Sequence, residues 1–389
     1  MRIIQASFII PLNGPIVTNG YLFIEDDGTL LHLTDQAPIT NEFEVEVYQG
    51  ILCPGFINTH CHLELSHMKD IIPEATGLPE FVNQIPKLRN NYILDPEEAM
   101  RAGNEEMACS GIVAVGDISN TSDSLKIKKD SPIKYHSFVE LFGLDKKKST
   151  ELLAHGQSVL EEYRSIGLKA SLAPHAPYSM SPELLEGIYA NTENEIVSIH
   201  HQETPSENEM FLESKGDLVE LYRSRAVDIS SQIAFTKNSS QYSLLQYLPK
   251  HQKVLLVHNT YSGVSDIEQV ENHFSNAYWC TCPKANWYIE RRLPNYDLWR
   301  DKQLKITVGT DSLASNNTLN ILEELKLIQK KFPHISTEEL LTWASKNGAA
   351  FFDYTELGSF TLGTKPGILL IENVSGMSLT EHSKVKVLA

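Results

Sequence analysis

Residues 54–67 read PGFINTHCHLELSH. The segment opens like a buried strand, and His60 and His62 stand two apart where the apolar run ends. Side chains alternate faces along a strand, so both imidazoles point the same way and can hold one cation together. Zinc-like ions accept imidazole nitrogen and carboxylate oxygen, and a catalytic site keeps one position open for water. The competing reading of such an HxH pair is coincidence, or two hydrogen-bonded core histidines.

Working outward, other strand-like runs end in the same manner. SLAPH ends in His175, IVSIHHQE in His200 and Glu203, VLLVH in His258 and ITVGTD in Asp311. The runs GIVAVGDIS, IKYHSFVELFG, LKASLAPH, NEIVSIHH, KVLLVHNT, NAYWCTCP and KITVGTDS alternate with amphipathic stretches such as SPELLEGIYANT, GDLVELYRSR and LNILEELKLIQKKF. Repeated strand then helix favours parallel β/α architecture. With GFINTHCH the count is about eight strands over roughly 300 residues, which predicts an α/β fold with a (β/α)8 TIM-like barrel. In that architecture the chemistry sits at the carboxyl ends of the strands, where these His, Glu and Asp residues fall. The barrel is expected over residues 54–354. RIIQASFII, NGYLFIEDDGTLLHL and FEVEVYQGILCPGF alternate like short strands, with a hairpin signal at Asp26–Gly28, and the tail LGSFTLGTKPGILLIENVSG does the same. A small β-sandwich built from residues 1–53 and 355–389 is therefore expected.

The chain has 389 residues, 41% hydrophobic and 21% charged, with a net charge of −17. That charge opposes general phosphate-backbone binding, so nucleic acid is not an expected partner. MRIIQASFIIPLNGP lacks a basic leader and a long apolar core, and no window approaches the roughly 18 apolar residues of a membrane span. A cytoplasmic protein without a membrane partner is expected. Cys53, Cys61, Cys109, Cys280 and Cys282 show no CxxC spacing, which predicts reduced thiols. Neither GxGxxG nor GxxxxGK[ST] follows a strand, so a nucleotide-phosphate cradle is unsupported.

PGFINTHCHLELS, HAPYSMS, the HxxE of HHQET, VHN and VGTDS, in that order between residues 50 and 320, resemble the amidohydrolase superfamily. The resemblance is to its mononuclear-metal deaminase branch, which includes aminodeoxyfutalosine, methylthioadenosine/S-adenosylhomocysteine and guanine deaminases. It implies that His60, His62, His200 and Asp311 are metal ligands, that Glu203 and His258 handle protons with Asp311 as base, and that His175 contacts substrate. His200 is chosen over His201 because it stands three before Glu203; His201 is expected on the opposite side of the strand end. The implied reaction is hydrolytic deamination of an amino-substituted purine or adenine-nucleoside-like molecule. Hydroxide adds to an amidine-like carbon, Glu203 protonates a ring nitrogen, and ammonia leaves. The competing reading of Glu203 is a surface helix residue, as most glutamates are by composition alone, and its spacing after His200 tells against it.

One divalent metal is expected, because Lys169 lies at the start of the fourth barrel strand, the wrong end to bridge two. Zinc is expected first, and the ligand set also admits iron. A small-molecule substrate and a homodimer follow from the resemblance. CPKANWYIERRLPN carries Ala285 where the branch commonly has serine, and supplies Asn286, Trp287, Tyr288, Glu290 and Arg291. These form either a substrate wall, with Asn286 and Tyr288 as contacts, or a barrel loop with aromatic packing. Glu64 either hydrogen-bonds a ribose or amine, or caps the following helix. HCHLELS and the acidic HHQETPSENEMFLESKGDLVELY look closer to aminodeoxyfutalosine deaminases than to methylthioadenosine deaminases. Guanine deamination, a chlorohydrolase or imidazolonepropionase-type reaction on the same scaffold, and a non-catalytic metal-binding barrel are the alternatives. The cytidine-deaminase type fails, since HLE at 62–64 is followed by no PCxxC.

Overall fold

Alternating apolar residues at the amino terminus form β1 (Arg2–Ile9), β2 (Val17–Thr18), β3 (Tyr21–Ile24), β4 (Leu30–Thr34) and β5 (Val45–Pro54). The computed structural model describes residues 1–38, 44–90, 93–192, 195–227, 229 and 239–389. The expected hairpin at Asp26–Gly28 joins β3 to β4, with Gly28 at φ +85° and the Thr29 N–H donating to Asp27.

The middle of the chain supplies eight parallel strands in two four-stranded sheets. The first holds β6 (Phe56–Cys61), β7 (Ile112–Ser119), β8 (Lys134–Leu141) and β9 (Lys169–Pro174). The second holds β10 (Ile196–His201), β11 (Lys253–His258), β12 (Asn276–Thr281) and β13 (Ile306–Val308). Their residues are buried almost throughout, which is why they read as continuous apolar runs rather than as alternation. Helices such as Pro96–Cys109, Ser149–Ser165, Pro182–Ala190 and Ile321–Lys331 lie between strands. Two of them start on a capping oxygen followed by proline: Asp95 accepts from the Glu98 N–H and Ser181 from the Leu184 N–H.

Hydrogen bonds also run between the sheets at both seams. The His200 N–H donates to the His175 carbonyl, and the N–H groups of Thr310 and Asp311 both donate to the His60 carbonyl. A Cβ at Gly309 would lie 2.8 Å from His60 Cβ and from its carbonyl oxygen. Only glycine lets the two backbones approach this closely.

The tail returns as β14 (Ile368–Glu372) and β15 (Lys384–Val387). β14 pairs antiparallel with β5, so both chain ends share one seven-stranded sheet of order β15-β14-β5-β1-β3-β4, with β2 on β1. Ile4, Ile9, Leu22, Leu52, Phe360 and Leu370 pack into its own apolar cluster. Among the described residues, no helix is long and apolar enough to cross a membrane. All five cysteines are free thiols, and only Cys109 is exposed.

Candidate functional site

The strand ends bring three imidazoles together. His62 Nε2 lies 3.2 Å from His60 Nε2 and 3.3 Å from His200 Nε2. Asp311 Oδ1 stands 3.5 Å from His62 Nε2 and 3.7 Å from His60 Nε2. His200 Nδ1 donates to the His175 carbonyl at 2.8 Å, which leaves the lone pair on Nε2. Burial holds His62 down to about 3 and His200 well below the usual imidazole range, so both rings are neutral. A single N–H on His62 would satisfy only one of its two contacts. A tetrahedral site with metal–nitrogen bonds of about 2.05 Å has ligand–ligand edges of about 3.3 Å, which is the spacing seen here. The donor set therefore fits one divalent metal, and the hydrogen-bonded core pair does not account for it.

The proton-handling candidates face this cluster. Glu203 Oε1 lies 3.7 Å from His258 Nε2. Burial, together with the carboxylates of Asp311, Glu290 and Glu207, pushes Glu203 well above the ordinary carboxyl range, which favours its protonated form. It is buried, and the surface-helix reading does not apply. The Glu203 N–H donates to Glu207, whose own carboxyl burial pushes up to about 7. His258 Nδ1 donates to Asn286 Oδ1 at 2.7 Å, directing the Nε2 lone pair at Glu203, and burial holds this ring at about 4. Burial alone would raise Asp311, but the imidazoles of His60, His62 and His258 outweigh it and keep this carboxylate ionised. Its Oδ2 accepts from Ser315 Oγ at 2.7 Å. His258 and Asp311 both adopt left-handed backbone, at φ 72° and 58°. Such strain at strand ends is sustained where a side chain must be aimed.

His62, His175, His200, Glu203, His258 and Asp311 line one cavity of about 450 Å³. Its remaining wall is mainly apolar, with Leu65, Phe81, Ile85, Phe142, Tyr178, Tyr222 and Ile289, and its polar members include Arg89, Asn120, Glu140, Asp145 and Arg225. His175 Nδ1 is 2.7 Å from Ser179 Oγ. His201 turns to the other side, its Nδ1 donating to Asn259 Oδ1 at 2.8 Å.

Three expected substrate contacts stand elsewhere. Glu64 lies within the 3-10 helix Leu63–Met68 and neither caps it nor lines the cavity. Its carboxylate accepts from the Asn120 N–H, the Thr121 N–H and the Thr121 hydroxyl, and pairs with Arg89 at 3.4 Å. Arg89 and Asn120, which it holds, both line the cavity. The 286–291 segment is largely a helix, Pro283–Glu290, rather than a loop. Successive residues on a helix are about 100° apart, so Asn286 faces inward beneath His258 while Tyr288 faces away. The Tyr288 hydroxyl donates to the Ile72 carbonyl, and its ring lines a separate groove with Lys284, Trp287 and Arg291.

Two features escaped the sequence reading. Glu140, near the end of β8, is buried beside His200 and His175. Asp117 and Lys128 form a fully buried ion pair at 2.6 Å, and Asp117 accepts from the N–H of Leu63, the residue after His62. The available signal was an acid within an otherwise apolar strand run, in VGDIS and in FVEL.

A family model described as the amidohydrolase family matches residues 51–386. The adenosine deaminase of Helicobacter pylori is 27% identical over 318 residues, covering 77% of this chain and 74% of that protein. The 5-methylthioadenosine/S-adenosylhomocysteine deaminase of Bacillus cereus is 24% identical over 387 residues, covering 92% and 81%. The crystal structure of Helicobacter pylori aminofutalosine deaminase in complex with methylthio-coformycin shares the fold, with a TM-score of 0.83 at 22% identity, covering 100% of this chain and 98% of that one.

Proposed function

This chain belongs to the amidohydrolase family and is a hydrolase of carbon–nitrogen bonds other than peptide bonds; from that premise we propose that it deaminates an amino-substituted purine or adenine-nucleoside-like small molecule, releasing ammonia. The observation that carries this is the placement of Glu203, a buried carboxyl 3.7 Å from His258 on the cavity that the His60, His62, His200 and Asp311 cluster opens into. The relatives named above as adenosine and methylthioadenosine/S-adenosylhomocysteine deaminases support the substrate class. Within it, an aminodeoxyfutalosine-like or methylthioadenosine/S-adenosylhomocysteine-like molecule is the favoured reading, supported by the fold shared with the aminofutalosine enzyme.

His60, His62, His200 and Asp311 would hold one divalent metal, zinc first and iron as the alternative. When bound, such a metal lowers the pKa of a coordinated water towards neutrality. Asp311, held ionised, accepts a proton from the attacking water. His258, anchored through Asn286, presents Nε2 to orient that water. Glu203 gives its proton to the ring nitrogen, so the attacked carbon becomes a better electrophile; the proton held by Asp311 then passes to the amino group, the carbon–nitrogen bond breaks to release ammonia, and Glu203 takes back the proton of the new hydroxyl as the carbonyl forms. The apolar wall takes the flat base and excludes solvent.

We propose for the scaffold that β6–β13 close into one (β/α)8 barrel over residues 54–354; the hydrogen bonds at both seams support this. The terminal sheet, with its own apolar cluster, would be a β-sandwich drawn from residues 1–53 and 355–389.

The test is ammonia release and ultraviolet absorbance with zinc-loaded protein against adenosine, methylthioadenosine, S-adenosylhomocysteine, guanine and aminodeoxyfutalosine. Turnover of an adenine nucleoside is expected, and Glu203→Gln should lower kcat by about 10²- to 10⁴-fold with unchanged metal content. Undiminished turnover in that variant would sink the mechanism.

A further inference from the structure

We propose that Glu140 reads a hydroxyl of the substrate's sugar and so discriminates ribosyl substrates from those lacking that hydroxyl; this rests on the deaminase reading above. Glu140 sits near the carboxyl end of β8, is 5% exposed, and lines the cavity. One carboxylate oxygen, Oε2, accepts from Asn120 Nδ2 at 3.1 Å. The other, Oε1, is buried without a hydrogen-bond partner. A buried carboxyl oxygen left unpaired is costly whether it accepts or donates, so one facing a cavity calls for a hydrogen-bonding partner from what fills that cavity.

Among the described residues none supplies that partner. His200 Nδ1 lies 3.6 Å from Oε1 and is already engaged with the His175 carbonyl at 2.8 Å. For the same reason Glu140, His175 and His200 do not make a second cation site, since His200 has no lone pair to offer at Nδ1. The three convergent Nε2 atoms lie across the His200 ring from Glu140. Glu140 therefore meets a part of the substrate removed from the reacting carbon. In an adenine nucleoside the donors in that position are the sugar hydroxyls. Glu64, whose carboxylate is filled by three donors and Arg89, cannot take this role.

Glutamine at 140 gives a nearly isosteric test. Asn120 donates at the Oε2 position, so the carbonyl of the new amide turns to Asn120 and its NH₂ takes the place of Oε1, replacing an acceptor with a donor. Zinc-loaded wild type, Glu140→Gln and Glu140→Ala would be compared on adenosine and 5′-methylthioadenosine, each against its 2′,3′-dideoxy counterpart. kcat, KM, calorimetric binding, zinc content and melting temperature would be measured. Wild type should prefer the ribosyl member by about 10- to 100-fold in kcat/KM, mainly through KM. Glu140→Ala should bring that preference within about threefold while keeping zinc and the wild-type kcat on the dideoxy compounds, whereas Glu140→Gln, whose NH₂ a sugar hydroxyl can still meet as acceptor, should retain part of it. An unchanged preference in Glu140→Ala overturns the assignment of Glu140. Equal losses on both members of each pair, with loss of zinc, overturn it in favour of a structural role. Failure of wild type to bind or deaminate any adenine nucleoside removes the deaminase reading, and this inference falls with it.

Discussion

Asp117, within β7, and Glu203, two residues beyond β10, are both buried carboxyl groups, and their surroundings are opposite. Asp117 meets the Lys128 ammonium at 2.6 Å and the Leu63 N–H at 2.8 Å, while Lys128 also donates to Ser119 and Ser137. No charge there is left over, and neither residue lines the cavity. Burial would lower Lys128, but Asp117 outweighs it and holds the ammonium charged. Among the described residues no cation pairs with Glu203; it has the carboxylates of Asp311, Glu290 and Glu207 around it, and it opens on the cavity. A buried acid with its counter-charge serves the architecture, here by fixing the backbone that follows His62. A buried acid deprived of one stores a proton for chemistry.

Breaking the closed pair should give the larger effect. Lys128→Met leaves Asp117 buried and uncompensated, which costs about 3–5 kcal/mol, whereas Asp117→Asn with Lys128→Met should recover most of that loss. Urea unfolding of the two variants measures the difference. Equal destabilisation in single and double variants would show that packing, not charge, holds this site. Because Asp117 also anchors Leu63, the single variant should weaken zinc affinity by about 10- to 100-fold.

The open acid should show itself in the pH profile. In the proposed mechanism Glu203 acts protonated, and its pKa is raised, so kcat/KM should hold on the acid side of that value and fall as pH rises through it. Glu207, once ionised above about 7, contributes to the raised value. Glu207→Gln removes that repulsion and should move the alkaline limb to lower pH. A limb that stays in place would mean that Glu207 does not act on Glu203 electrostatically.

The same contrast explains what was legible in the sequence. His60, His62, His200, His258 and Asp311 stood out because strand alternation and carboxyl-terminal placement give them a common direction whatever their separation along the chain. The β/α succession was legible for the same reason. Asp117, Lys128 and Glu140 were not, because their meaning lies in partners: Asp117 needs Leu63, 54 positions away, and Glu140 needs an unpaired oxygen beside His200. Glu64 was misread because a carboxylate next to an HxH pair invites a local role, while its donors come from the Asn120–Thr121 turn.

Tyr288 supplies the smallest effect and the sharpest limit on what proximity in sequence means. It stands two residues after Asn286, yet helical rotation sends its ring to a groove outside the cavity and its hydroxyl to the Ile72 carbonyl. Tyr288→Phe removes one hydrogen bond and no group that meets the cavity. Stability should fall by about 1 kcal/mol and kcat/KM should change less than about twofold. Asn286→Ala, in contrast, frees the His258 ring and should depress kcat without a matching rise in KM, because it acts on the transition state through His258. A large loss of activity in the Tyr288 variant would place its ring against substrate, and the separation drawn here between the two faces of one helix would fail.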